Sequence, residues 1–168
     1  MFASIARLAS AAAFAATLVA SPAALAQTAG PGAPQFAGDG VVRVKSAYAI
    51  DETVARLKRD IAAKGIRFFQ EVDQHRLAAA AGIKVRPSTL LVFGNPPLGT
   101  QFLNANPQAG LDWPVRLLVQ QDEQGDVWAV YTDFLWIARR HGIGETEQAP
   151  FKTAAGVIAS ITSAVKAQ

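Results

Sequence analysis

The chain has 168 residues, no cysteine and a formal net charge of +3. That length fits one domain able to bury its own core. The missing cysteines exclude disulfides, thiol nucleophiles, iron–sulfur clusters and cysteine zinc sites. The weak, scattered basic balance (Arg56, Lys58, Arg59, Lys64) provides no track for nucleic acid.

Arg7 precedes an apolar run from Leu8 to Ala20, broken by Ser21-Pro22 and followed by Ala24-Leu25-Ala26. A basic start, a short apolar core and a small-x-small exit make a secretory signal pattern. The run is too short for the roughly twenty residues of a bilayer span. The expectation is a signal peptide over residues 1–26, cleaved before Gln27, and a periplasmic or secreted protein free of the membrane afterwards. Residues 27–40, rich in Gly, Pro and Ala, read as a flexible lead-in, and residues 41–168 as a single α+β domain.

Within that domain, Val42, Val44 and Ser46 alternate with Arg43 and Lys45, as in a half-buried strand. Asp51 is placed to cap a helix whose Val54, Leu57 and Ile61 share a face. Gly65 stops it. A strand follows in which Ile66, Phe68 and Val72 are expected to face one way. Asp73 caps a short Ala-rich helix, and the apolar run Thr89–Phe93 reads as a central strand. Residues 94–114 read as a long loop with four prolines and a hint of helix at Thr100–Asn104. Val115–Gln120 and Val127–Tyr131 form a hairpin turning at Gly125. Asp133 caps a helix ending at Gly142. A last amphipathic helix from Pro150 aligns Phe151, Ala154, Ile158, Ile161 and Val165. The sum is a two-layer α+β domain, a sheet of about five strands with helices packed on it.

Several of these segments carry a recognisable string: Phe93-Gly94-Asn95-Pro96, Gly99-Thr100, Asn106-Pro107, Pro114, Gly125-x-Val127-Trp128 and Ala138-Arg139-Arg140-His141-Gly142. In that order they resemble the bacterial family catalogued as domain of unknown function 302, over roughly Val41 to His141. The resemblance implies a small two-layer α+β domain, often dimeric, and no particular chemistry. The pattern departs at Asp73-Gln74-His75, where the family reads Asp-His, so no role carries over to His75.

Residue by residue, Gly94–Thr100 makes a poor phosphate cradle, since two prolines remove donors and no lysine follows. His75 and His141 lie on different helices without the three ligands of a catalytic zinc site. Ser88 and Thr89 sit in no nucleophile elbow. Trp113, Trp128 and Trp136 read as core. Arg116, on an otherwise apolar strand, needs a partner. Asp112 is the expected one, in a partly buried ion pair pinning the exit of the long loop. The candidate ligand-binding residues are Asn95, Asn106, Asp112, Arg116 and His141, with no catalytic constellation, no metal and no cofactor. Two functions are compatible with this: a module binding a small polar or anionic ligand under the long loop, or a homodimeric interaction module of the cell envelope without catalytic activity.

Overall fold

The computed structural model describes residues 35–36 and 38–167; the expected signal segment over 1–26 and most of the expected lead-in lie outside them. One antiparallel sheet has the order β1-β2-β6-β5-β4-β3. Its strands are β1 (Gln35–Phe36), β2 (Val41–Lys45), β3 (Arg67–Asp73), β4 (Ser88–Gly94), β5 (Val115–Gln121) and β6 (Val127–Thr132). The helices are α1 (Ile50–Ala63), α2 (Gln74–Ala80), α3 (Pro96–Ala105), α4 (Phe134–Arg140) and α5 (Ala149–Ser163). The α+β class and a sheet of five full strands agree with the sequence pattern. The two-residue β1 extends that sheet from the described end of the lead-in, pairing Phe36 with Val42.

The strands alternate as a sheet with one covered face requires. Val42, Val44, Leu91, Phe93, Leu117, Val119, Val127 and Ala129 point to the helices and are buried. They join Leu57 and Ile61 of α1, Phe134 and Ile137 of α4, and Phe151, Ile158 and Ile161 of α5 in one core. Each of these last three α5 positions is the one its helical period assigns.

Three local expectations need correction. Helix α1 starts one residue before Asp51, with Ala49 at the cap and no side-chain cap bond. Asp51 and Glu52 instead occupy the first turn, where the positive end of the helix dipole favours carboxylates. In β3 a bulge between Phe68 and Gln70 inserts Phe69. One extra residue reverses the alternation, so Phe68 pairs with Phe93 on the covered face while Val72 pairs with Leu90 on the other. Trp128 also lies on that other face, paired with Lys45 and Gln120, and is only partly buried rather than core.

The largest correction is the segment 94–114. It is no long loop. Asn95 accepts a hydrogen bond from the Leu98 amide at 3.2 Å and caps α3, and prolines occupy its first turn. Proline suits that place because the amide it lacks has no intrahelical partner there. Asn106 then caps a 3-10 turn, Pro107–Leu111, by accepting from the Gln108 amide at 2.9 Å. The residues that look like loop formers are helix starters. Phe102 anchors α3 in the core, stacked on Phe151 at 4.1 Å between ring centroids.

Candidate functional site

Helix α3 separates two groups of residues. At its C-terminal end lies Asp112, directly after the 3-10 turn, with its side chain only 6% exposed. Its Oδ2 is 2.7 Å from His141 Nε2, and the imidazole is equally buried. Arg140 Nη1 donates to the same carboxylate at 3.2 and 3.3 Å. Arg116 reaches it only at 3.5 Å and makes its shorter bond, 2.7 Å, to the Leu111 carbonyl. Asn106 joins the group by donating from Nδ2 to the His141 carbonyl at 2.9 Å.

Four of the five candidate residues therefore meet here: Asn106, Asp112, Arg116 and His141. The expected Asp112–Arg116 pair exists in weaker form than anticipated. The Arg116 side chain is 54% exposed, and an ion pair with one member in solvent is screened. The principal partners of Asp112 are His141 and Arg140, because the C-terminus of α4 is delivered onto the 3-10 turn. That neighbourhood spans the chain from 112 to 141 and carries no spacing signal. Every oxygen of the Asp112 carboxylate is used within the protein, and this self-satisfied knot ties α3, α4 and β5 together.

At the N-terminal end of α3 the geometry is open. Asn95, the fifth candidate, lies here, bordering two cavities that Arg116 does not line. A groove of about 450 Å³ runs between α3 and α5, past Lys64, Asn95, Thr153, Gly156 and Ser160. Ile66, Asn95, Leu98 and Val157 line both this groove and an apolar cavity of about 30 Å³ behind it. Phe93, Phe102, Phe134 and Ile158 form much of the cavity wall. Groove volumes of 300–1,000 Å³ with apolar floors and a few polar groups are typical of small-molecule sites.

Trp113 is the feature that sequence reasoning placed in the core without a further role. Its indole lies on two glycines of the Gly94…Gly99 motif. A Cβ at Gly99 would sit 1.8 Å from Trp113 Nε1, and one at Gly94 would sit 3.1 Å away. The motif is thus a slot for an aromatic ring. Phe69, the bulge residue, meets the same indole edge-on with centroids 6.3 Å apart. Trp113 borders the cavity, and its N–H has no hydrogen-bond acceptor among the described residues. The amides at the start of α3 are not available to an anion, since Pro96 and Pro97 have none and those of Leu98 and Gly99 bond to Asn95.

His75 Nδ1 donates to the Val85 carbonyl at 2.8 Å on an exposed turn. Among the described residues no three His, Cys, Asp or Glu side chains converge as metal ligands, and no helix is long and apolar enough to cross a membrane.

The model of a family described as "Domain of unknown function DUF302" matches residues 42–167. The fold is similar to a crystal structure of an uncharacterized conserved DUF302 protein from Bacillus stearothermophilus, with a TM-score of 0.69 at 16% identity, over 76% of this chain and 98% of that one. Curated relatives include proteins named fluoride-specific ion channel FluC 1 in Brucella suis and Brucella abortus. Each is 34% identical over 113 residues, which is 67% of this chain and 44% and 42% of those proteins. The chain therefore spans less than half the length of the curated relatives it matches. With the family model matching three quarters of its length and the fold agreeing, the chain belongs to the DUF302 family.

Proposed function

We propose that this protein is a non-catalytic binding module for a small molecule, and that the ligand lies in the groove between α3 and α5. The observation that carries this reading is a 450 Å³ groove that shares Ile66, Asn95, Leu98 and Val157 with an apolar cavity bordered by Trp113. This shifts the expected site away from Arg116 and from any covering loop. The Asp112 knot supports it indirectly by holding the far end of α3 in place. Nothing in the groove pairs a nucleophile with a base, so recognition suits it better than catalysis. We further propose that residues 1–26 direct export and are removed.

The relatives named as fluoride channels suit the same reading. A channel must cross its bilayer on helices or a closed barrel, and no described helix here is long enough to do so. In those longer proteins the matched segment would be an attached module rather than the conducting part. Native mass spectrometry of protein isolated without denaturation tests the groove. A bound small molecule that is lost in Gly156→Leu supports it, and protein without ligand under all growth conditions contradicts it.

A second reading, a homodimeric interaction module, is favoured by one observation. The sheet face without the packed helices carries Val72, Leu90, Val92, Leu118 and Val130 across four strands in register. All five are only partly buried, and an apolar belt of this kind marks a contact surface.

A further inference from the structure

Two glycines interrupt helices that border the groove, and the fold accounts for only one of them. Gly99 in α3 is required by the Trp113 ring that lies on it. Gly156 lies in the middle of α5, between Ala155 and Val157, where a built Cβ meets nothing within 4 Å. A glycine inside a helix costs about 1 kcal/mol relative to alanine. At Gly156 neither packing nor a positive φ offsets that cost, since its backbone is not among the glycines with positive φ. Gly156 lines the groove. Its bare Cα keeps open the volume that any side chain would fill.

From this we infer that the groove takes a short single-tailed amphiphile: an apolar tail lying across Gly156 with its tip in the cavity, and an oxygen acceptor near the neck. The inference rests on the binding-module reading above. The cavity of about 30 Å³ admits a tip of one or two carbons, against the engineered 150 Å³ cavity that holds benzene. Its lining is apolar except at Asn95 and Trp113, and the Trp113 N–H, which is not sealed from solvent, is free to donate to a ligand. A carbonyl, carboxylate or hydroxyl oxygen on the ligand supplies the acceptor. The outer groove is bordered by hydroxyls and amides, Thr153, Ser160 and Asn95, with a lysine already paired to Asp60 at 2.6 Å. The rim therefore holds little unneutralised charge and tolerates a polar head without demanding a highly charged one. Gly156 becomes the specificity-determining position, setting how thick a tail can pass.

The test is isothermal titration calorimetry of the purified full-length mature chain with octanoate, octanol and acetate, on the wild type and on Gly156→Ala and Gly156→Leu. Octanoate and octanol are expected to bind, acetate at least tenfold more weakly. Gly156→Leu should lose octanoate binding by at least tenfold, and Gly156→Ala should weaken it by a smaller but measurable factor, about threefold. Circular dichroism melting of Gly156→Leu confirms that the variant is folded. Octanoate bound equally well by Gly156→Leu would overturn the inference. So would an absence of binding by all eight-carbon probes. If native mass spectrometry nevertheless finds a polar metabolite displaced by Gly156→Leu, the groove stands as a binding site and the amphiphile assignment falls.

Discussion

At the single residue, what matters is which side chains have partners. Asp112 has three cationic or imidazole partners and lies buried between them. Asp112→Ala is expected to cost about 3 kcal/mol, since it strips a buried histidine and an arginine of their acceptor. Arg116→Ala should cost under about 1 kcal/mol, as for an exposed pair. A denaturant double-mutant cycle on positions 112 and 141 should return the larger coupling energy, and one on 112 and 116 the smaller. Asp122 behaves differently. The Trp128 indole N–H donates to it at 2.7 Å and is the main cause holding its carboxyl below the usual range, with the Asp126 and Gln124 amides and Lys45 helping against partial desolvation. A carboxyl lowered in the folded state adds stability above its unfolded pKa, near 4, and loses it as the pH falls through the folded value. Asp122→Asn should therefore weaken the protein at neutral pH and leave it unchanged in strong acid, as followed by urea midpoints across that range. Gly99→Ala should cost about 2 kcal/mol and shift Trp113 fluorescence, because the ring must leave its slot.

The elements that were hardest to read are those whose residues have two uses. Proline and asparagine mark loops, and in residues 94–114 they mark the starts of α3 and of the 3-10 turn instead. Asn95 three positions before Leu98 was the available cap signal; the prolines beside it masked it. By contrast α5, α4 and the β5–β6 hairpin were legible, since their apolar period, caps at Asp133 and the turn at Gly125 all agree. Phe69 defeated the face assignment in β3 because a bulge leaves no trace in a strand's composition. The bulge also bends an exposed edge strand, which discourages pairing with further strands. Asn95→Ala is expected to destabilise α3 by about 1 kcal/mol. Gly156→Ala should stabilise the free protein by about 0.5–1 kcal/mol. A loss of stability on the second change, measured by chemical denaturation, would mean that the glycine serves the fold.

For the whole molecule, one sheet carries a packed helical layer and leaves its opposite face open. The layer holds the core, the Asp112 knot and the groove, with α3 linking them. The candidate residues were half legible: Asn106, Asp112, Arg116 and His141 do gather, but as a brace, while Asn95 alone of them borders the groove, whose other residues, Leu98, Gly156 and Val157 among them, read as ordinary helix. Only the helical glycine was a sequence-level sign. The open face leads to a separate expectation. If it forms a dimer, Leu118→Lys should lower the mass seen by sedimentation equilibrium to that of one chain, while a wild type already monomeric at high concentration would remove that reading.

If the proposed function holds, ligand occupies the Trp113 side of α3 rather than the Asp112 side. The chain has three tryptophans, and their indole N–H resonances in a ¹⁵N–¹H correlation spectrum report three separate places: Trp113 at the cavity, Trp128 on the open sheet face, and Trp136 beside Arg140. Titration with octanoate should move the Trp113 indole signal and leave the other two in place. A Trp113 signal that stays fixed while that of Trp136 moves would put the ligand at the Asp112 knot and contradict the account.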